Sequence, residues 1–493
     1  MVVLAIIGAV IAVICLNRPS GSDVTEQLEY ANAFFINDNG NYTLWSAEGK
    51  RLTNDEYSHQ SRFVGGFAYV SKDDQDGIIR ENGTMSVDFG KYGDIMNEGG
   101  LYVARDGNTK EEFLITGDGK VLEHGTDLET DSTNSTAGFA LVKAGEKYRV
   151  YSYNGSLIAE MNYDDSIEDP ALYDSDDFGS IYYNNKNTVF DVRSGKILAE
   201  FEGDKYRLDS ISEDRKLIIL EGKIGEKDYK LIVDGKIYDL DETKYYGIAD
   251  LDTVIGYDNY DKLALLDENY KVAEWVSTYL ELKDYKNYAV ENEDEETVEI
   301  YKNGEKIATF ADEASIASSG VLHDDYYAIK NGGTAKFYNL DGTPALGKEF
   351  KYIRSLFDEN HHAVVADEED ENYLIDTRGE RIGDYTFKGF ASTKNGYRFK
   401  NKDGEYAIAN KDGKLVTEFK YTDVDYYDDA EPHNIWAGRN SYNDYDIIDV
   451  EKGVVLYENA KIDDIAAHYF AVKTDNGVEY YTFDGKLFYT VED

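Results

Sequence analysis

A single recurrence governs what this chain can fold into. From residue 30 onward, a β-forming run, a turn carrying Gly and a second β-forming run return again and again. Examples are 113–122 (FLITGDGKVL), 188–198 (TVFDVRSGKIL), 298–307 (VEIYKNGEKI), 373–382 (YLIDTRGERI), 406–416 (YAIANKDGKLV) and 479–488 (EYYTFDGKLF). The turns fall at Gly49, Gly83, Gly119, Gly155, Gly195, Gly235, Asn269, Gly304, Gly342, Gly379, Gly413, Gly453 and Gly485. Twelve intervals separate the first from the last, and (485 − 49)/12 is about 36 residues. A fixed period of this size marks a repeat architecture, in which each unit buries its apolar face against its neighbours.

The turns have a local cause. Asn-Gly occurs at seven places and Asp-Gly at eight, and both pairs tolerate the positive φ that two-residue hairpins require. The flanks are rich in Val, Ile, Tyr, Phe and Thr, which suit a pleated surface. No stretch past residue 16 keeps a 3.6-residue apolar period over helical length. Within 163–201 the pattern divides into four short strands, at 163–167, 179–183, 188–192 and 196–201. Tight hairpins make antiparallel pairs, which excludes a parallel β-helix. The expected fold is all-β: tandem four-stranded antiparallel repeats forming β-propellers, preceded by one N-terminal apolar helix. Thirteen units exceed the usual four to eight per ring. Two rings are therefore expected, over 30–241 and 242–493, with the boundary near 242 or near 277; a single large ring and an open β-array are the alternatives. The last copy ends on its final strand, which suits a closure in which terminal strands share a blade.

The unit from Gly404 through Val424 (GEYAIANKDGKLVTEFKYTDV) resembles the bacterial WG (KWG) repeat. Gly404, Tyr406, Ile408, Asn410, Gly413, Lys414, Leu415, Val416, Tyr421 and Asp423 take the places of that pattern. Asp376 with Gly379, and Asp191 with Gly195-Lys196, echo it. The chain departs from it in having no Trp-Gly dipeptide: its three Trp precede Ser46, Val276 and Ala437. The resemblance implies repeat architecture and a surface or envelope-associated protein. It implies no catalytic residues.

Residues 1–16 (MVVLAIIGAVIAVICL) are apolar or Gly throughout and precede Asn17, Arg18 and Pro19. As a helix they would span about 24 Å, somewhat less than a bilayer core. A single-pass membrane anchor is the preferred reading, followed by a linker over 17–29. A cleaved signal, a lipid anchor at Cys15 or a buried strand are the alternatives. Arg18 weakly favours a cytoplasmic C-terminal part, but large domains translocate regardless of one charge. The bulk of the chain is read as extracellular.

Charge narrows the partners. Lys plus Arg number 51 against 98 Asp plus Glu, a net of −47. Nucleic-acid binding rests on basic side chains, so that class is excluded, as is docking on an anionic lipid surface. One cysteine rules out a disulfide framework and a cysteine-based zinc site. With 14% aromatics the chain is not a disordered acidic one.

Chemistry is sparsely signalled. No HExxH, GxSxG after a strand, Walker A or dinucleotide glycine motif is present. The seven His are dispersed, and His361 and His362, adjacent in sequence, would face opposite sides of a strand. No cofactor is expected, beyond calcium taken opportunistically in acidic loops at Asp174, Asp176 and Asp177 or at Asp425, Asp428 and Asp429. Asp73-Asp74-Gln75-Asp76-Gly77 lacks the acids an EF-hand needs at Lys72 and Gly83. Recognition is assigned to the long loops 125–138, 168–178 and 425–436, with Trp436 as an exposed anchor after the last acidic run. The expectation is a non-enzymatic, membrane-anchored scaffold that binds a protein or surface polysaccharide. The alternative is a glycan-active propeller hydrolase or lyase with carboxylates near the ring axis.

Overall fold

The computed structural model describes residues 32–492, apart from 127, 132–137, 165, 176–177, 213–215, 223–227, 241–244, 250–252, 259–261, 293–295, 312, 428–429, 431–432 and 442. The apolar N-terminal run and the linker lie outside the described residues. Among the described residues there is no α-helix, and no helix long and apolar enough to cross a membrane. The chain is all-β, with many four-stranded antiparallel sheets built from consecutive strands.

One sheet shows a pattern that several share. Its strands are Glu129–Asp131, Phe139–Ala144, Lys147–Ser152 and Leu157–Asn162, paired in that order. The two central strands are largely buried, whereas the first and last are mostly exposed. Central strands have neighbours on both edges and both faces, so they carry the apolar residues. The thirteen turn positions all fall in the last hairpin of a repeat. In some of these hairpins an Asp or Asn closes the turn by accepting backbone N–H groups two and four residues on, and in others it accepts the one two residues on. Asp376 Oδ1 accepts from Arg378 (3.0 Å) and Glu380 (2.8 Å), and Asn410 Oδ1 from Asp412 (3.1 Å) and Lys414 (3.0 Å). This side-chain mimicry of a backbone turn is why Asx recurs there.

A second irregularity keeps the same period. The final strand of a sheet carries a β-bulge, so that one residue has no cross-strand partner. Leu122, Ile158, Leu198, Ile307 and Phe488 occupy this place in five sheets. Bulges raise the local twist. They also aim the extra residue at the following turn: a Cβ on Gly155 would lie 3.1 Å from Leu122, and one on Gly195 would lie 3.7 Å from Ile158. Sheets within a unit thereby pack on one another, and cores are shared between neighbours. One joins Phe139, Leu141 and Val150 to Ile181 and Phe190, and another joins Phe178 and Val189 to Ile218, Leu220 and Ile232.

The described residues divide into two compact units. One is Leu240–Ile462; the other is the chain up to Asp239 together with Asp463–Asp493. Residues 463–493, which the repeat count grouped with 242–462, thus fall with the earlier sheets. Their strands Tyr469–Thr474, Gly477–Tyr481 and Leu487–Glu492 pack on the first hairpin, Ala33–Asp38 with Asn41–Ser46. Trp45 lies 5.2 Å from the Phe488 ring and 4.7 Å from that of Tyr489, and Phe34 lies 4.8 Å from Tyr469. The Tyr489 hydroxyl donates to Asp38, and the Asn39 amide donates to the Glu492 carbonyl at 3.3 Å. A Cβ on Gly49 would meet Phe488 at 2.7 Å, the same glycine-on-bulge contact that links sequential sheets.

One strand assignment is corrected. The first strand of the 163–201 unit is Ala171–Ser175 rather than 163–167. Asp164 accepts from the Ser166 backbone N–H (2.9 Å) and hydroxyl (2.6 Å), a local turn that ends extended structure there.

Candidate functional site

The residues singled out from the sequence do not assemble into a site. Asp174 lies in the strand Ala171–Ser175, opposite Gly179, and not in a loop. Asp425 likewise lies in a strand, Asp423–Tyr426, with Arg439 3.4 Å away. Asp176, Asp177, Asp428 and Asp429 lie outside the described residues. Trp436 is corrected outright: it is 2% exposed, packed among Ile408, Tyr421, Val424, Ile448 and Val450, with its indole N–H on Asn434 at 2.7 Å. It is the second residue of the central strand Ile435–Arg439, and the apolar run Ile435-Trp436-Ala437 was the available signal. Among the described residues no group of three or more His, Cys, Asp or Glu is disposed to hold a metal ion.

The structure instead gathers polar side chains that are distant in sequence, within the unit Leu240–Ile462. The strand Leu280–Asp284 opens a sheet, and the short strand Gly320–Val321 runs parallel beside it, Glu281 facing Gly320 and Leu282 facing Val321. The segment that follows leads into the strand Tyr326–Asn331. Lys283, His323, Asp324, Asp325, Tyr326 and Asn339 line an open cleft of roughly 400 Å³ there. Lys283 Nζ pairs with Asp325 at 2.8 Å, and His361 Nδ1 lies 3.1 Å from Asp324. His361 holds a left-handed backbone (φ 63°), which costs a non-glycine residue free energy and turns its ring toward Asp324.

His362, the next residue, engages a different group, the Tyr397 hydroxyl at 2.9 Å, and that hydroxyl also donates to Asp358 at 2.7 Å. Burial pushes the His362 imidazole below its usual range. The two adjacent histidines therefore serve separate networks. Neither stands beside a Ser or Cys nucleophile in the bonds described. The cleft offers donors, acceptors and one aromatic edge, a set suited to holding a polar group.

Beneath this wall sits a group that sequence reading missed. Glu281 is 0% exposed. Its Oε2 accepts the Ala328 backbone N–H at 2.6 Å, and the Ser318 backbone N–H is a further donor to the carboxyl. Its Oε1 has no partner, and neither has the buried Tyr327 hydroxyl. Burial raises Glu281 well above the usual carboxylate range, outweighing the two N–H donors. Tyr327 is raised too, by burial first and then by the charges of Glu281, Asp284 and Asp325. One Glu among 98 acidic residues carries no distinguishing local pattern.

No protein-family model matches the chain, and no curated protein matches it. It shows limited similarity to solved structures. One is KlHsv2 with its loop 6CD replaced by a Gly-Ser linker, 14% identical over 39% of this chain and 72% of that one, at a TM-score of 0.20. A second is the computationally designed Ika8 protein, 12% identical over 65% and 93%, at 0.19. A third is a eukaryotic initiation factor, 11% identical over 75% and 97%, at 0.28. Likenesses at these TM-scores carry no argument about fold or function.

Proposed function

We propose that the protein is a non-catalytic binding scaffold whose sheets are the blades of two β-propellers, diverged from the WG repeat. Residues 1–16 anchor it in a membrane, and the bulk of the chain faces the outside of the cell. Its partner is a protein or a surface polysaccharide, bound through the turns and loops between strands and the polar cleft beside Lys283 and Asp324. The observation that supports this best is the division of labour within each sheet. Central strands are buried between neighbours, which leaves the exposed loops outside the glycine turns free to meet a partner. A net charge of −47 favours a partner with a basic surface and makes the association salt-sensitive.

The test is retention of surface proteins and of isolated envelope polysaccharide on the full chain in detergent, at about 0.15 M salt, with and without calcium. Saturable capture of one or two proteins, weakened by added salt, supports the scaffold. Capture of polysaccharide with release of shorter sugars would replace it with the glycan-active reading. Retention of neither overturns the binding role.

A further inference from the structure

We propose that Glu281 is a protonation-controlled latch: as a neutral carboxylic acid it holds the strap 317–326 against the strand Leu280–Asp284, and its ionisation releases that strap. The geometry is that of a staple. The strap leaves the strand Ser315–Ile316 and returns into Tyr326–Asn331, and its neck is closed by the Ala317 N–H on the Ala328 carbonyl at 2.8 Å. Both N–H groups that Glu281 receives, from Ser318 and Ala328, flank this neck. The rest of the attachment is a two-residue parallel pairing at Gly320 and Val321, the Leu322 N–H on the Leu282 carbonyl at 2.8 Å, and two side-chain ties, Lys283 to Asp325 at 2.8 Å and His361 to Asp324 at 3.1 Å. Burial of Leu322 adds an apolar hold. The strap also supplies His323, Asp324 and Asp325 to the cleft, so its release would dismantle one wall of that cleft.

The charges around Glu281 supply no compensation for an ionised form. Lys283 and Asp284 lie on its own strand, Glu291 on the strand Asn287–Asn292 paired with it, where it accepts the Ile316 N–H at 2.8 Å, Asp325 on the strap, and Tyr327 on the strand that follows. Lys283, the cation among them, is engaged with Asp325. No cation contributes to holding the Glu281 proton equilibrium, which burial dominates. A buried carboxylate without a counter-charge is relieved by exposing it to water, and the strap lies directly beside it at Ser318 and Gly320. Its direction is fixed: the neutral form favours the closed strap, and rising pH favours the open one.

Hydrogen exchange of the full chain tests this, followed in peptides covering 315–328 from about pH 5 to about pH 9, with rates corrected for intrinsic base catalysis. Three chains are compared: wild type, Glu281→Gln and Lys283→Gln. In wild type, protection of the strap is expected to fall about tenfold per pH unit over the range where Glu281 is ionised in the open state and still protonated in the closed one. Glu281→Gln, which cannot ionise, is expected to stay flat, and Lys283→Gln, which loses the tie to Asp325, to show lower protection throughout with the pH dependence of wild type. Constant protection in wild type, an equal fall in Glu281→Gln, or a flat Lys283→Gln would each overturn the latch. Should Glu281→Gln fail to fold, wild type alone decides. The infrared carbonyl band of a protonated carboxyl must be present at neutral pH and fade only at the pH where strap protection stops falling, and its absence overturns the proposal.

Discussion

At the scale of single residues, the recurrent glycine is a packing element as well as a turn former. Gly49 has φ +71° and Phe488 against its α-carbon, whereas Gly40 has φ +92° and open space around it. Gly40→Ala should lose about 1 kcal/mol from backbone strain alone. Gly49→Ala should lose that and a further 1–3 kcal/mol or so from overpacking against the ring. Denaturant melts of both variants check the difference, and equal losses would deny Phe488 any role. Trp436 fills a core, so Trp436→Ala should lose about 3–5 kcal/mol. An intact melt together with lost partner binding would restore it as an anchor. The turns were legible in the sequence because Asn-Gly and Asp-Gly act within four residues. The burial of Trp436 was legible in principle, from Ile435-Trp436-Ala437. Glu281 was not, since its burial depends on Gly320 and Ala328, brought to it only by the fold.

At the scale of elements, strands that follow a tight turn could be placed from sequence, and those that pair across longer loops could not. The hairpin strands Phe178–Tyr183, Lys186–Asp191 and Lys196–Glu202 correspond to expected runs, while the first strand moved to Ala171–Ser175. A first strand has one partner and weak alternation, so its position is set by tertiary pairing. The cleft was illegible for the same reason: Lys283, Asp324 and His361 are dozens of residues apart and share no motif. The packing of the final three strands on the first hairpin yields a prediction. A chain ending at Ile462 should leave Phe34, Ile36 and Trp45 without their partners. Limited proteolysis should then degrade residues 33–239 faster than in the full chain while sparing 240–462. Equal resistance of both would mean that the final strands add nothing to the unit they join.

At the scale of the whole molecule, the acidic balance is partly internal. Carboxylates accept tyrosine hydroxyls at many sheet contacts, among them Tyr69 on Asp76 (2.9 Å), Tyr151 on Glu123 (2.5 Å), Tyr288 on Glu274 (2.5 Å) and Tyr421 on Asp446 (3.0 Å). Other carboxylates hold turns. Asp341 is kept below its usual range by the Thr343 hydroxyl and N–H, and Asp106 by the N–H groups of Thr109 and Asn108. Groups lowered in this way stabilise the fold above their unfolded value near 3.8, and that contribution disappears as pH falls through their folded values. Glu281, raised, has the opposite sign: its contribution is complete below the unfolded value and is lost as pH rises. Melting temperature should therefore peak between the two and drop steeply below about pH 4. Asp341→Asn should flatten the acid side at little cost near neutrality, because Asn410 already closes an equivalent turn. A melting curve still rising toward about pH 2 would deny the turn carboxylates this role.

The return of residues 463–493 to the first hairpin also sets an order of events during synthesis. Trp45 and Phe488 are 488 − 45 = 443 residues apart, so at about 5–20 residues per second a ribosome needs roughly 20–90 s to make the second after the first. Throughout that interval the face of Phe34, Ile36 and Trp45 exists without its cover, while the whole of 240–462 is translated and free to fold. The nascent chain thus carries an exposed aromatic surface for most of its birth. Its yield in a cell should depend more on what shields that surface than on the stability of the finished protein.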